Sequence, residues 1–155
     1  MMIRVAKRLS AAVGLALLSA GGASAADTLA GPIGAEVVRV IDGDTIEIRA
    51  QIWLQLALTS HVRVRGIDTP EMRGACFEEK VMAAAARDRL AELVGPAIRL
   101  VNISDDKYFG RVVADVSAGD GTDIGAAMIA SGLARPYDGA TRGDWCATGS
   151  VTVGN

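Results

Sequence analysis

The sequence of 155 residues has little of what most metal-dependent and nucleophilic active sites use, with one histidine and two cysteines. It therefore excludes a histidine-rich zinc site and a four-cysteine cluster, and leaves little room for a Ser-His-Asp triad. It also lacks an uninterrupted apolar run of about 20 residues, which excludes a multi-span membrane protein. Half of the residues are apolar, which excludes a disordered chain and allows one domain with a core. Carboxylates, arginines and a hard metal ion remain as the means for chemistry.

Residues 1–25 have the pattern of a secretory signal peptide. Three basic residues lie within the first eight positions, residues 9–20 are mostly apolar, and residues 23–25 (ASA) resemble a cleavage site. The alternative is an uncleaved membrane anchor, for which the apolar stretch is short. We therefore expect a periplasmic or secreted protein that has no membrane attachment after cleavage.

Removal of the leader makes the chain more acidic. The leader holds three of the 16 basic residues and none of the 18 acidic ones, so 13 basic residues remain and the net charge is −5. A negative net charge does not predict a strong positive electrostatic field that would attract nucleic acid. Any anion-binding site must therefore be a local group of arginines.

The two cysteines, Cys76 and Cys146, are interpreted through the expected compartment. In an oxidising compartment an isolated pair predicts a disulfide, whereas two free buried thiols are the alternative. Such a bond would tie the C-terminal segment to the region that follows Glu71.

The apolar pattern predicts five strands and two helices. Alternating or β-branched residues indicate strands, and an apolar stripe with terminal glycines indicates helices. The strands are expected near 36–41, 46–52, 61–65, 98–103 and 111–116, and the helices at 78–94 and from about 124 to 132. This order fits a mainly β, α+β fold, a five-stranded OB-fold barrel with two to three helices at its rim. Several other small α+β folds share the order.

The mature chain divides into three parts in this interpretation. Residues 26–34 are expected to be a loose lead-in, residues 35–138 the barrel domain, and residues 139–155 a tail that Cys146 ties down. Trp145 is expected to pack beside that cysteine.

Carboxylates lie at the ends of two strands that are expected to be neighbours. Asp44 belongs to DGDT at 42–45, and Asp68 and Glu71 belong to DTPE at 68–71. Each string alone can be a turn or a strand terminator, since Asp, Gly and Pro favour turns. Two carboxylates that meet without a counter-ion repel each other, and a hard divalent cation relieves this repulsion.

Basic residues follow the same strands. Arg63 and Arg65 are two residues apart and share one face of a predicted strand. Residues 106–111 (DKYFGR) combine basic and aromatic groups in the connection between two strands. The alternatives are a solvated strand face and a solvated loop. Arginine offers paired donors that match the geometry of phosphate, which favours an anion site.

Together these segments resemble the thermonuclease family, secreted calcium-dependent nucleases built on an OB-fold barrel. The resemblance rests on DGDT, on an R-x-x-x-x-D spacing that ends at Asp68, on DTPE, and on a DKY-x-GR string that ends at Arg111. It extends from about residue 37 to residue 137.

The resemblance implies one calcium ion. Asp44 and Asp68 match the family's two calcium carboxylates, and Thr69 would supply a backbone carbonyl. Calcium accepts several oxygen ligands in irregular geometry, which suits this set.

The resemblance also implies the catalytic groups. Arg63 and Arg111 match the arginines that bind the scissile phosphate, and Glu71 matches the glutamate assigned as general base for water. Two guanidinium groups and a cation would stabilise the negative charge that develops on phosphate oxygens.

Further residues are implied to contact substrate. Lys107, Tyr108 and Tyr137 lie where the family binds terminal phosphate and base, and Arg65 is a second candidate for the phosphate role. Phe109 is an extra residue in the DKY-x-GR string, and a hairpin extension near residue 53 is longer than in compact family members.

The favoured interpretation is a periplasmic or secreted metal-dependent nuclease, a monomer that hydrolyses single-stranded DNA or RNA. The alternative is the same barrel as a binding or interaction module of the cell envelope with weak or no catalysis, which the acidic charge and Phe109 would suit. A third interpretation, recognition of another phosphorylated or sugar ligand, rests on the versatility of barrels.

Overall fold

The computed structural model describes residues 28–146, so the predicted signal peptide and the end of the chain lie outside the described residues. The described chain forms eight strands and two helices. They are β1 Thr28–Leu29, β2 Ile33–Val40, β3 Thr45–Trp53, β4 Leu56–Val64, β5 Ile67–Asp68, α1 Phe77–Val94, β6 Ala97–Asp105, β7 Arg111–Ala118, α2 Ile124–Ala130 and β8 Arg135–Pro136.

Five of these strands close into a barrel. Strand β2 pairs with β3, β3 with β4, β7 with β6, and β6 with β2, all antiparallel, while β4 and β7 are parallel. The ring is closed because β2 and β7 both pair with β6. The prediction of a mainly β, α+β barrel of the OB type is confirmed, with two helices in the described chain.

The core fills the barrel and the space below α1. Along β3, Ile46, Ile48 and Ala50 are buried, and the alternation gives the period of two that the sequence predicted. Helix α1 contributes residues at helical spacing, with Ala86 and Leu90 fully buried. The predicted helix over 78–94 is therefore confirmed almost residue for residue.

The helix ends follow from local chemistry. Cys76 is the N-cap of α1 and accepts the N–H of Glu79, and Gly95 ends the helix with φ 59°. Asp123 is the N-cap of α2, and its side chain accepts the N–H of Ala126 at 2.9 Å.

The expectation of a loose lead-in over 26–34 is wrong for its described part. Strand β1 pairs with the end of β6, with Thr28 opposite Ser104, and β2 already begins at Ile33. Backbone pairing with β6 orders this segment although its side chains are largely exposed. Strand β2, which belongs to the barrel, therefore begins before residue 35.

The β3–β4 hairpin extends further than predicted. Strand β4 begins at Leu56 rather than at residue 61, and the tip exposes Trp53 and Leu54. Neither helix among residues 28–146 combines the length and apolar character that crossing a bilayer requires.

Candidate active site

The turn between β2 and β3 packs directly against the segment that follows β5. Gly43 lies so close to Thr69 that an added Cβ would stand 2.9 Å from both Cβ and Oγ1 of Thr69. Asp44 follows this glycine and Asp68 precedes the threonine, and both carboxylates are buried, at 4% and 2% exposure. The two segments that carry the predicted metal residues Asp44, Asp68 and Thr69 therefore adjoin.

The Asp44 carboxylate is held by two neighbours. Its Oδ1 accepts the Thr45 hydroxyl at 2.8 Å, and its Oδ2 accepts from Nη1 of Arg63 in a close ion pair. Burial raises the pKa of Asp44, and the charge of Asp42 adds to this, while Arg63 opposes it. A cation beside this carboxylate would favour its charged form.

Arg63 connects the two carboxylate segments. Its guanidinium is buried, pairs with Asp44, and donates from Nη2 to the carbonyl oxygen of Ile67 at 3.0 Å. The Tyr137 ring lies over it, with the centroid 6.0 Å from Cζ. Arg63 therefore lies at the predicted site. Its guanidinium is paired there with Asp44, which is itself a predicted metal ligand.

Asp68 carries an unsatisfied oxygen. Its Oδ2 accepts the indole N–H of Trp145 at 3.0 Å, whereas its buried Oδ1 has no hydrogen-bond partner among residues 28–146. The Nε of Arg142 lies 3.2 Å from this oxygen but outside hydrogen-bond geometry. A buried, charged oxygen without a donor is costly, and a hard cation would satisfy it. The carboxylates of Asp68 and of Asp44, on the adjoining segment, are donors that suit an oxygen-preferring divalent ion.

Glu71 stands at the edge of this site on an ordered loop. Its side chain is half exposed and contacts Nη1 of Arg142 in a close ion pair. Its backbone N–H donates to Oε1 of Glu79 at 3.2 Å, and the N–H of Ala75 donates to Oε2 at 2.8 Å. Buried Glu79 therefore fixes the loop that presents Glu71, a role that the sequence did not reveal.

Arg111 approaches the site from β7. Its Nε donates to Oδ2 of Asp106 at 2.6 Å, and its Cζ lies 4.6 Å from the centroid of the Tyr108 ring. Burial raises the pKa of Asp106, but the hydrogen bond and charge of Arg111, with backbone N–H groups of Tyr108 and Lys107, outweigh it and lower the pKa. Arg111 is thus oriented by a charged neighbour.

Some of these groups share one open cleft of about 1010 Å³, whereas the predicted metal residues Asp44, Asp68 and Thr69 are not among the residues that line it. All three predicted catalytic residues and all four predicted substrate residues line it, together with one arginine that was not predicted. They are Arg63, Glu71 and Arg111, then Arg65, Lys107, Tyr108 and Tyr137, and Arg142. The cleft therefore joins five basic and four acidic side chains, and its basic groups offer the charge-assisted donors that bind phosphate.

Arg65 lines the cleft but is engaged by the barrel. Its Nη2 lies 2.6 Å from the carbonyl of Asn102, 3.0 Å from Oγ of Ser104 and 3.0 Å from the carbonyl of Val113. Its Nε also pairs with Asp115 at 3.2 Å. These contacts join the turn after β4 to strands β6 and β7, and they favour a structural role over the predicted contact with substrate.

The predicted disulfide between Cys76 and Cys146 is confirmed, with the Cα atoms 5.9 Å apart. Among the described residues, Cys76, Glu79 and Cys146 form the group of three candidate ligand side chains within 4.8 Å of one another, and the predicted carboxylates do not form such a group. Because both sulfurs are in the disulfide, that group offers no thiolates to a metal.

Two site residues escaped the sequence analysis, Arg142 and Trp145. Both contact Asp68, and Trp145 is buried rather than merely adjacent to Cys146. A signal was available, because the predicted disulfide joins the residue after Trp145 to Cys76, which lies shortly after Glu71.

Comparison with known proteins relates the chain to nucleases. Residues 61–144 match the family described as staphylococcal nuclease homologue. Two relatives, each named an uncharacterized endonuclease, from Escherichia coli and from Escherichia coli O157:H7, are 30% identical over 111 residues. That alignment covers 71% of this chain and 65% of each relative, so the chain spans less than two thirds of their length. Protein ParB of Escherichia coli is 35% identical over 136 residues, which cover 79% of this chain and 70% of ParB.

Proposed function

Because the chain belongs to the staphylococcal nuclease homologue family, we propose that it is a nuclease that hydrolyses phosphodiester bonds of DNA or RNA. One observation carries the proposal. Arg63, Arg111 and Glu71 line a single cleft, and buried Asp44 and Asp68 lie beside them on adjoining segments. The relatives named endonuclease support the same reaction class.

The phosphate would be bound by guanidinium groups. Arg111 is held by Asp106 and stacks on Tyr108, so it presents its remaining N–H donors from a fixed position. Arg63 would turn part of its donor set from Asp44 to a phosphate oxygen. Charge-assisted, paired N–H donors recognise phosphate and stabilise the charge that grows on its oxygens.

Ca²⁺ is the proposed cofactor, one ion held by the carboxylates of Asp44 and Asp68 and the carbonyl of Thr69. The unsatisfied Oδ1 of Asp68 supports this assignment. When bound, the ion supplies positive charge next to the phosphate and replaces the present guanidinium partners of the carboxylates.

Glu71 would act on the attacking water. Its carboxylate accepts a proton as the water oxygen bonds to phosphorus, the ester P–O bond breaks, and the leaving oxygen takes a proton from solvent. A carboxylate is a weak base, so Glu71 works chiefly by position. Its loop is fixed by Glu79, which accepts the N–H of Glu71.

The protein is further proposed to act as a monomer in the periplasm or outside the cell, after removal of residues 1–25, on single-stranded or frayed substrate. The disulfide between Cys76 and Cys146 supports an oxidising compartment. The open cleft and the exposed Tyr108 support single strands, since unpaired bases can stack on an aromatic ring.

The test is cleavage of denatured DNA and of RNA in Ca²⁺ or in a chelator. We expect the parent protein to cleave in Ca²⁺ and not in the chelator. The variants Arg111→Ala and Glu71→Gln should show no measurable cleavage in either solution. Arg89→Ala is the matched control, because Arg89 is an exposed arginine on α1 that pairs with Glu92. Equal and negligible cleavage by the parent protein in both solutions would contradict the proposal.

A second candidate function is nucleic-acid binding without turnover. It is favoured by the arginine contacts of the acidic groups, Arg63 on Asp44 and Arg142 on Asp68 and Glu71. Binding of a labelled oligonucleotide that survives Arg111→Ala and Glu71→Gln, with no turnover by the parent protein, would support it over the nuclease.

A further inference from the structure

The segment 142–146, called the tail segment here, returns to the predicted cation site. Arg142 approaches two acidic groups at once, with Nε 3.2 Å from Oδ1 of Asp68 and Nη1 in a close ion pair with Glu71. Asp68 is buried, while the Arg142 side chain is 42% exposed. The oxygen that Arg142 approaches is the one that lacks a hydrogen-bond donor within the described range 28–146.

Two positive groups cannot occupy this position together. A divalent ion bound to Oδ1 of Asp68 would meet the guanidinium of Arg142 at a few ångströms, where like charges repel strongly. Because Arg142 is partly exposed and does not hydrogen-bond to Oδ1, it can leave that oxygen without losing a well-formed bond there. Its contact with Asp68 is therefore exchangeable.

Three contacts hold the tail segment in place. Cys146 is bonded to Cys76 at the start of α1, and the indole of Trp145 is buried and donates to Asp68. Arg135 stacks on the same indole, with Cζ 3.8 Å from the ring centroid. Covalent attachment keeps the local concentration of the Arg142 guanidinium high next to the carboxylates.

We propose that Arg142 is an internal counter-ion of the cation site, which competes with the divalent ion for Asp68 and is kept there by the disulfide. The identity of the ion rests on the proposed function, whereas the contacts of Arg142 do not. The competition sets the cation affinity of the protein, so the tail segment belongs to the site although it lies far from Asp68 in sequence.

The test measures cation binding in the full chain. Ca²⁺ affinity is measured by calorimetry, and Tb³⁺ binding by luminescence that Trp145 excites, since its indole donates to Asp68. The second tryptophan, Trp53, lies on the exposed hairpin tip, so Trp53→Phe is the background for all variants. The comparison is Arg142→Gln against the parent, with Arg142→Lys and Arg89→Gln as controls.

We expect Arg142→Gln to bind Ca²⁺ about tenfold more tightly than the parent, because one adjacent positive charge is removed. Arg142→Lys keeps the charge and should stay within about threefold of the parent. Arg89→Gln makes the same charge change at an exposed ion pair on α1 and should change affinity little. Arg142→Met gives a second neutral variant if the glutamine variant folds poorly.

The disulfide is tested by a double-mutant cycle. In a Cys76→Ser, Cys146→Ser background the tail segment is no longer tied, so Arg142→Gln should improve Ca²⁺ affinity by less than about threefold. A full tenfold gain in that background would overturn the role of the disulfide.

The remaining outcomes distinguish the counter-ion role of Arg142 from the calcium assignment. Ca²⁺ binding of unchanged or lower affinity in Arg142→Gln would overturn the counter-ion role and leave the proposed nuclease intact. Failure of every variant to bind Ca²⁺ or Tb³⁺ would overturn both the calcium assignment and the competition. Cleavage assays play no part in this distinction.

Discussion

Gly43 is the residue on which the meeting of the two acidic segments depends, and Gly43→Ala tests that dependence. A Cβ at this position would lie 2.8 Å from Cβ of Ala86 and 2.9 Å from Cβ and Oγ1 of Thr69. The Cβ atoms of Ala86 and Thr69 are fixed to the backbone, so they cannot rotate away. The β2–β3 turn must therefore move away from α1 and from the segment after β5.

The expected loss in the free energy of unfolding of Gly43→Ala follows from overpacking at a buried position. Thr69 is 4% exposed and Ala86 is fully buried, so the added methyl group finds no solvent. Overpacking of this kind costs about 1–3 kcal/mol of the free energy of unfolding. Because Asp44 is the next residue, the same shift moves its carboxylate relative to Asp68, and Ca²⁺ affinity should fall as well.

Urea denaturation with and without Ca²⁺ measures both effects, provided that the m-value stays constant. The matched control is Gly34→Ala, because a Cβ at Gly34 would meet nothing within 4 Å. That variant should change the free energy of unfolding by less than about 0.5 kcal/mol. If Gly43→Ala is as stable as Gly34→Ala and binds Ca²⁺ equally well, the proposed packing of the turn is refuted.

Three further predictions concern groups around the site. Because the pKa of Asp106 is lowered by Arg111 against the effect of burial, its stabilising contribution is present above the unfolded pKa of about 3.9 and is lost as pH falls through the folded value. The stability lost in Asp106→Asn, measured by denaturation, should thus be constant from pH 7 to 5 and shrink below pH 4, and a loss that grows there would contradict this. Joint replacement of Cys76 and Cys146 by serine should lower the free energy of unfolding by about 4 kcal/mol, since the disulfide closes a loop with a sequence separation of 70; unchanged denaturation would contradict it. Glu79→Gln should cost about 1–3 kcal/mol by leaving a backbone N–H without its carboxylate acceptor, and a neutral result would show that the loop before α1 does not need it.

The sequence predicted the parts of the site that repeat a local pattern. DGDT follows a β-branched strand and DTPE follows an alternating one, so the approach of the segments that carry Asp44 and Asp68 was expected from neighbouring strands. The register of these strands was not predictable from periodicity alone. It places Thr45 opposite Arg63, and the Arg63 guanidinium consequently reaches Asp44.

Other features depend on tertiary contacts that leave no local trace. Strand β1 is two exposed residues long, so no periodicity could reveal its pairing with β6. The contacts of Arg65 join the turn after β4 to β6 and β7, and they require the closed barrel. The disulfide was predicted, but the path that returns Arg142 and Trp145 to Asp68 is set by the folded tail segment.

The most direct test of the account is a crystal structure of the protein grown with Ca²⁺. We expect one ion bound by carboxylate oxygens of both Asp44 and Asp68 at about 2.3–2.6 Å, with Arg142 displaced from Oδ1 of Asp68. An ion bound elsewhere, or none in crystals at millimolar Ca²⁺ with Arg142 still beside Asp68, would contradict the central claim that these two buried carboxylates form one cation site.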